Sequence, residues 1–344
     1  MFKKKHGLII LLLALAMVVS ACGGGGGANQ SGTEAPSEGE QPANEETSSG
    51  EKVDLLMGTG SQGGTYFPLG QEMANVWNRN IENVNVTSTE SGASVENLAK
   101  IGNGEFDLGM SVHIPALNAY NGTGDFEGRK IENFAFVGFI YPEVLQIITR
   151  ESTGINSIAD LKGKRVAIGP PGSGTQTIAK TVLAAYGITD ADYTAYQEGF
   201  GDAKAKLQDG TIDASFGILG LPNAEIDELQ VAVKDVKFLE ITGDELAKIQ
   251  EESGYQPFTI PAGSYEWLDH DVSTVSAYAI LVANTDTVSD DVAYELAKVM
   301  FEKSDENTHP QARHMTPENA LLGSEGLPIH PGAERYFKEA GIMN

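Results

Sequence analysis

The feature that most constrains the fold is a short apolar run followed at once by a glycine- and hydroxyl-rich loop and a helical pattern. It occurs first at residues 53–68, where VDLLM precedes GTGSQGGTYFP, and again at residues 165–175, where RVAIG precedes PPGSGT. Each copy predicts a strand that leads into a loop at the N-terminus of a helix. Such loops bind anions and carboxylates well, because the first helical N–H groups lack internal partners and the helix dipole adds partial positive charge.

Strand and helix patterns alternate over most of the chain. After the first loop, Leu69, Met73, Val76 and Trp77 lie at helical spacing, with Pro68 in the first turn. The alternation predicts parallel strands with right-handed crossovers. We therefore predict an α/β protein of two similar units, each a mainly parallel sheet flanked by helices. Ligands bind at the carboxyl ends of strands in such sheets, so the two loops predict a ligand cleft between two lobes.

The N-terminus is typical of an export signal. Lys3, Lys4 and Lys5 precede an apolar run over residues 8–19, and small residues follow up to Cys22. A run of about 12 residues is shorter than the roughly 20 that span a bilayer, so residues 1–21 are predicted to be a signal peptide. The Val-Ser-Ala-Cys ending resembles the bacterial lipobox, which implies cleavage before Cys22 and a lipid on its sulfur. The alternative is an ordinary secretory signal with an incidental cysteine.

Residues 22–52 contain almost no apolar side chains, so they are predicted to form a flexible tether. Removal of residues 1–21 takes away three lysines and no acidic residue, which leaves 20 basic and 48 acidic residues, a net charge of −28. A chain this acidic is not expected to bind nucleic acid, which needs a basic face. Cys22 is the only cysteine, which excludes disulfides and thiolate metal sites.

The histidine and serine patterns give no further chemistry. His309 and His314 have no third residue spaced to complete a metal site, so no metal is predicted. Ser61 and Ser173 do not lie in a Gly-x-Ser-x-Gly nucleophile elbow, so no catalytic residue is predicted and the chain is not expected to be an enzyme. No cofactor is expected either.

Several segments resemble the TAXI-type solute-binding proteins of TRAP (tripartite ATP-independent periplasmic) transporters. The resemblance covers residues 53–342 and is carried by the segments 58–70 (GTGSQGGTYFPLG), 91–98 (SGASVENL), 141–143 (YPE), 159–166 (ADLKGKRV), 172–175 (GSGT), 209–214 (DGTIDA), 260–265 (IPAGSY) and 327–333 (LPIHPGA). The first of these, together with YPE and the IPAG part of 260–265, is the most specific.

The resemblance implies a two-lobe, type II periplasmic-binding-protein fold. Lobe 1 would comprise residues 53–147 and 274–344, and lobe 2 residues 148–273. The protein would be anchored by lipid outside the cytoplasm and would capture a small organic carboxylate, such as glutamate or a related acid, by lobe closure. It would deliver this ligand to the TRAP membrane permease.

By its matching motifs, the resemblance implies ligand contacts from both loops, and further candidates lie elsewhere in the chain. Together, the candidate ligand-binding residues are Thr59, Gly63, Gly64, Thr65, Tyr66, Ser91, Ser94, His113, Tyr141, Gly172, Ser173, Gly174, Thr175 and Phe216. His113 is included because many relatives carry a Ser-Asp pair after the third strand, where this chain has Ser111-Val-His113. Arg150 and Arg165 are candidate cations by position alone.

Two other functions fit parts of the sequence. Gly58-x-Gly60-x-x-Gly63 satisfies the dinucleotide fingerprint between a strand and a helix, which would suit a Rossmann-like, nucleotide-dependent oxidoreductase. The signal peptide and tether would also suit a surface interaction lipoprotein that binds its partner on the outer surface. A fingerprint alone is a weak signal, so solute binding is the leading interpretation.

Overall fold

The computed structural model describes residues 52–344. The predicted signal peptide, Cys22 and the tether up to residue 51 lie outside the described residues. Within the described part, no helix is both long enough and apolar enough to cross a membrane.

The ten strands of this part join in one mixed sheet in the order β2-β1-β3-β10-β4-β7-β5-β6, with β8 paired to β4 and β9 to β10. The strands are β1 (Val53–Gly58), β2 (Val84–Thr89), β3 (Leu108–Val112), β4 (Phe134–Arg150), β5 (Arg165–Ala167), β6 (Thr194–Tyr196), β7 (Ala214–Leu219), β8 (Val236–Phe238), β9 (Gln256–Ile260) and β10 (Val272–Asn284). The helices are α1 (Tyr66–Asn80), α2 (Ser94–Gly102), α3 (His113–Asn121), α4 (Gly174–Ala185), α5 (Phe200–Asp209), α6 (Ala224–Val233), α7 (Gly243–Ser253), α8 (Asp290–Glu302) and α9 (Pro331–Glu339).

The predicted parallel pairing occurs in both flanks of the sheet. β1 pairs in parallel with β2 and β3, and β5 pairs in parallel with β6 and β7. The centre is different, because β10 runs antiparallel to both β3 and β4, and β4 runs antiparallel to β7. The structure is therefore α/β with a mixed sheet, parallel in each flank.

Two lobes lie on either side of this central pair of long strands. We call β1–β3 with α1–α3, α8 and α9 lobe 1, and β5–β9 with α4–α7 lobe 2. Each lobe has its own hydrophobic core: Trp77, Phe136 and Phe337 belong to the first, and Ile178 and Val182 to the second. β4 and β10 pass through both lobes. The predicted lobe boundaries, at residues 147/148 and 273/274, fall within these two strands.

Helix α1 shows how the local pattern fixes the fold around the first loop. Leu69, Met73 and Trp77 recur every four residues, and all three are buried against lobe 1. Burial of each such side chain contributes roughly 1.5–3 kcal/mol. The indole Nε1 of Trp77 donates a hydrogen bond to the Leu296 carbonyl of α8 at 3.0 Å. This packing holds the N-terminus of α1, and the loop before it, at the edge of the cleft.

Candidate functional site

A cavity lies between the lobes, with a volume of about 560 Å³ including its open mouth. Both lobes contribute to its lining. Of the residues predicted from the sequence to bind ligand, those that line the cavity are Gly64, Thr65, Tyr66, Ser94, Tyr141, Ser173, Gly174, Thr175 and Phe216. The structure thus brings together residues that are up to about 150 positions apart in the chain.

Four helices begin at this cavity. The first residues of α1, α2, α4 and α5, which are Tyr66, Ser94, Gly174 and Phe200, all line it. The backbone N–H groups of a first helical turn lack partners within the helix, and the dipoles add partial positive charge at the same end. The cavity therefore favours an acceptor group or a negative charge on a ligand.

The wall from lobe 1 carries two tyrosines and a glutamate. Tyr66 and Tyr141 meet edge to face, with ring centroids 6.1 Å apart. The Tyr141 hydroxyl donates to Oε1 of Glu143 at 3.0 Å, and Glu143 is only 1% exposed. Burial raises the pKa of Glu143 to about 8, against the opposing effect of the Tyr66 and Tyr141 hydroxyls. Glu143 is therefore mostly protonated at neutral pH in the ligand-free protein.

Two polar atoms of this wall have no hydrogen-bond partner within residues 52–344. They are Oε2 of Glu143 and the hydroxyl of Tyr66. The Tyr66 hydroxyl lies near Glu143 and Ser94, close enough for both to affect its pKa, but without a hydrogen bond of normal geometry. Buried polar atoms without a partner are costly, so they are the natural contacts for a ligand.

The wall from lobe 2 is formed by the second loop and by β7. Ser173 caps α4: its Oγ accepts a hydrogen bond from the Gln176 N–H at 3.0 Å and donates to the Pro170 carbonyl at 2.8 Å. Phe216 and Ile218 of β7 supply apolar surface. Glu198 also lines the cavity and forms an ion pair with Lys206 at 2.7 Å.

Thr59 and Ser91 do not line the cavity but support the residues that do. Thr59 is fully buried and its hydroxyl donates to the Thr89 carbonyl at 2.6 Å. The Ser91 hydroxyl donates to Oδ1 of Asn97 at 2.6 Å, and the Asn97 amide in turn donates to the carbonyl of Thr59 at 2.8 Å. Asn97 thus ties the first loop to α2.

Gly63 and Gly172 lie where the rims of the two lobes touch. A Cβ atom on Gly63 would lie 2.6 Å from the backbone nitrogen of Gly201 in lobe 2. On the other side, the Gly172 carbonyl of lobe 2 accepts hydrogen bonds from the N–H groups of Val95 and Glu96, at 3.0 and 3.1 Å. The first turn of α2 is therefore satisfied by the opposite lobe.

His113 does not line the cavity. It is the first residue of α3, where its Nδ1 accepts a hydrogen bond from the Tyr278 N–H at 3.1 Å and its ring packs 5.1 Å from that of Tyr278. Burial lowers the pKa of His113 to about 4, so the side chain is neutral at physiological pH. His113 therefore packs α3 against β10.

Neither arginine proposed by position lines the cavity. Arg150 pairs with Asp235 at 2.8 Å, and Arg165 pairs with Asp213 at 2.6 Å. Among the described residues that line the cavity there is no lysine, arginine or histidine. In the part of the chain from 52 to 344, no group of three or more histidine, cysteine or acidic residues is placed to hold a metal ion. Any charge complementarity to an anion must come from backbone N–H groups.

Glu143, Glu198 and Phe200 line the cavity but were not among the residues predicted from the sequence. For Glu143 a signal was available, since it lies two residues after the candidate Tyr141, in an apolar stretch that forms β4. Alternate residues of a strand share a face, so Tyr141 and Glu143 are expected on the same side of the sheet. Glu198 and Phe200 lie just before and at the start of α5, and nothing in their local pattern set them apart.

Comparison with solved structures identifies the fold. The complex of PhnD1 from Prochlorococcus marinus with methylphosphonate matches with a TM-score of 0.51 at 12% identity, over 84% of this chain and 99% of that chain. A protein of Bordetella bronchiseptica RB50 also gives a TM-score of 0.51, at 17% identity, over 85% of this chain and 81% of that chain. The architecture is the two-lobe fold of type II periplasmic binding proteins, as predicted.

Comparison with curated proteins gives a partial match. A 4-amino-5-hydroxymethyl-2-methylpyrimidine phosphate synthase of Schizosaccharomyces pombe is 28% identical over 172 residues. The match covers 49% of this chain and 46% of the yeast protein, so it spans about half the length of that relative. A sequence profile of the NMT1-like family, in contrast, matches residues 57–341. The chain belongs to the NMT1-like family.

Proposed function

We propose that this protein is the extracytoplasmic solute-binding subunit of a transporter and captures a small organic carboxylate by closure of its two lobes. The observation that carries the proposal is the cavity between the lobes, on which the N-termini of α1 and α4 converge. They lie beside those of α2 and α5, whose first turns already donate N–H groups to the Gly172 and Gln62 carbonyls. Such N-termini bind carboxylates with backbone N–H groups and need no basic side chain.

We also propose the transporter type and the membrane anchor that the sequence predicts. The transporter is of the TRAP type with a TAXI-family receptor, and the receptor is held at the membrane by a lipid on Cys22. Ligand contacts come from the predicted residues that line the cavity, together with Glu143. Closure shifts the receptor toward the form that docks on the membrane permease, because the ligand binds the closed state more tightly than the open one.

The surface contacts between the lobes support a closing motion. The pairs that meet at the rims, Gly63 with Gly201 and Gly172 with the first turn of α2, join opposite lobes. Contacts of this kind reduce the access of water to a cleft, which strengthens hydrogen bonds to a charged ligand. We therefore propose that the contacts form on ligand capture and break on release.

A screen of small acids against the purified protein tests the function. We expect at least one class among amino acids, dicarboxylates and keto acids to raise the melting temperature at millimolar concentration, because a ligand that binds only the folded state stabilises it. Mass spectrometry after prolonged incubation should recover the bound acid unchanged, as expected for a receptor and not for an enzyme. If a neutral solute stabilises the protein while no carboxylate does, the carboxylate assignment is wrong. A chemically altered ligand would favour an enzyme.

A further inference from the structure

Glu143 is the acidic side chain most deeply enclosed in the cavity wall. It is 1% exposed, and Tyr141 donates to its Oε1 at 3.0 Å. Glu143 lines the cavity, and its buried Oε2 accepts no hydrogen bond of normal geometry from the described residues, although the Tyr66 hydroxyl lies near the carboxyl group. A buried carboxyl oxygen without a partner costs roughly 1–3 kcal/mol, more when ionised. This cost gives no benefit if Glu143 only stabilises the fold. It is offset if a ligand supplies the missing hydrogen-bond partner.

The cavity thus offers two kinds of polar group. The helix N-termini at Tyr66 and Gly174 offer backbone donors, which suit a carboxylate. Glu143, once it is ionised, offers an acceptor, which suits a hydrogen-bond donor on the ligand. Ion pairing with Lys206 already engages the other acid of the cavity, Glu198. A ligand that satisfies both kinds of group carries a carboxylate and a hydrogen-bond donor on the same small molecule.

We propose that Glu143 is a specificity-determining residue, and that its Oε2 accepts a hydrogen bond from a protonated amino group on the captured carboxylate. This inference rests on the proposed function, because it names the ligand class of the same cavity. It selects amino acids over the keto acids of the same carbon skeleton. A site that hydrogen-bonds a ligand group rejects the analogue that lacks the group, because its own polar atom is then left buried and unpaired.

The pH dependence of binding follows from the groups around Glu143. Those that face it are Tyr66 from α1, Tyr141 from its own strand and Tyr255, with Glu198 elsewhere on the cavity wall. The tyrosines are neutral below pH 9, since burial raises the pKa of each one. Glu143, with a pKa of about 8, must therefore lose its proton when it binds an ammonium group.

Two binding modes then differ in proton release. An ammonium ligand binds ionised Glu143, so its affinity rises about tenfold per pH unit between pH 6 and 7.5 and about one proton is released per ligand. A ligand carboxylate that accepts a hydrogen bond from neutral Glu143 releases no proton, and its affinity does not rise over this interval. The number of protons released thus reports which group of the ligand faces Glu143.

The experiment uses matched pairs of acids on the purified protein: glutamate with 2-oxoglutarate, alanine with pyruvate, and leucine with 4-methyl-2-oxopentanoate. Isothermal titration in two buffers of different ionisation enthalpy, at pH 6 and pH 7, measures affinity and proton exchange. For the pair that binds most tightly, we expect the amino acid to bind at least tenfold more tightly than its keto acid and to release about one proton at pH 7.

Glu143→Gln removes the charge and keeps the shape of the side chain. We expect this variant to bind the amino acid at least tenfold more weakly and the keto acid within about threefold of wild type. The inference is overturned if the keto acid binds as tightly as the amino acid, if no proton is released, or if the variant keeps its affinity for the amino acid. If none of the six amino and keto acids binds while another carboxylate of the wider screen does, this inference fails and the proposed function stands. The proton measurement on the wild type keeps the test valid even if the variant folds poorly.

Discussion

The two glycine-rich loops look alike in sequence but use their hydroxyl groups differently. In the first loop, residues 58–65, the Thr65 Oγ1 accepts a hydrogen bond from the Gly220 N–H of lobe 2 at 2.9 Å, and within the described chain no side chain caps α1. In the second loop, residues 168–173, Ser173 caps its own helix and donates to Pro170 of the same loop. The hydroxyl of the first loop thus joins the lobes, whereas that of the second stabilises the helix that follows it; the second loop reaches lobe 1 through the Gly172 carbonyl instead.

This difference shows that a shared local pattern does not fix a shared role. Both loops place glycine and hydroxyl residues before a helix, and both line the cavity. Their roles diverge because Thr65 lies within reach of the strand end of the opposite lobe, whereas the Ser173 hydroxyl turns back onto α4. Substitutions in the first loop are therefore expected to change closure and ligand affinity, whereas loss of the Ser173 hydroxyl, which is engaged within its own loop and helix, is expected to change mainly stability.

The largest effect is expected from Gly63→Ala in the first loop. Gly63 has a φ of +80°, and a Cβ atom there would lie 2.6 Å from the nitrogen of Gly201 in lobe 2. The added Cβ would meet backbone atoms of Gly201, which cannot move aside as a flexible side chain could. The rims therefore cannot close, and we expect ligand affinity to fall well over tenfold in isothermal titration. Gly128→Ala is the matched control: Gly128 also has a positive φ, +70°, but no atom lies within 4 Å of the added Cβ.

The control separates the contact from the backbone strain. A non-glycine residue in the left-handed region costs about 1–2 kcal/mol, and both variants bear this cost in stability. Only Gly63→Ala should lose affinity. Equal affinities for the two variants would show that the Gly63–Gly201 contact takes no part in closure.

A smaller effect is expected from Thr65→Val, which keeps the shape of the side chain but leaves the Gly220 N–H without an acceptor. A buried unpaired donor costs about 1–3 kcal/mol in the closed state, so we expect affinity to fall about tenfold. Amide hydrogen exchange at Gly220 should become faster in the same variant. Thr65→Ser, which keeps the hydroxyl, should restore both properties; if it does not, the methyl group of Thr65 and not its hydroxyl joins the lobes.

The smallest effect is expected from Ser173→Ala in the second loop. Loss of an N-cap costs about 1 kcal/mol, which for a protein of this size lowers the melting temperature by roughly 2–4 °C. Ser289→Ala is a matched control, because Ser289 caps α8 and does not line the cavity. We expect similar losses of melting temperature in both variants and unchanged exchange at Gly220. Faster exchange at Gly220 in Ser173→Ala would contradict the division of roles between the loops.

Local pattern was sufficient to predict the elements around each loop. The strand before the first loop and the stripe of Leu69, Met73 and Trp77 after it depend on residues close in sequence, and the structure has β1 and α1 there. Pairing at the centre of the sheet depends on distant segments instead. Nothing in residues 272–284 specifies that β10 lies between β3 and β4, because pairing of that kind is decided by tertiary packing.

The same limit applies to the site. Thr65, Tyr66 and Ser173 could be proposed because each lies at a loop that precedes a helix. Glu143 was missed because the sequence alone predicts a solvent-exposed position for an acidic residue in an apolar strand. In the structure it is buried, and Tyr66 of α1 lies close to its carboxyl group. His113 was proposed from its place after β3, but its neighbour across the sheet, Tyr278, comes from a strand 165 residues away.

The position of β10 also sets the order in which the chain can fold from its N-terminal end. Residues 53–112 supply the first three strands of lobe 1, but the strand that joins them to β4 is the last of the ten to emerge. Until then β3 has an unpaired edge next to the place that β10 will fill, and unpaired edges of this kind promote aggregation. The core of lobe 2 also waits for β10, which contributes Val275 and Ala277 to it, so the last strand completes both lobes together.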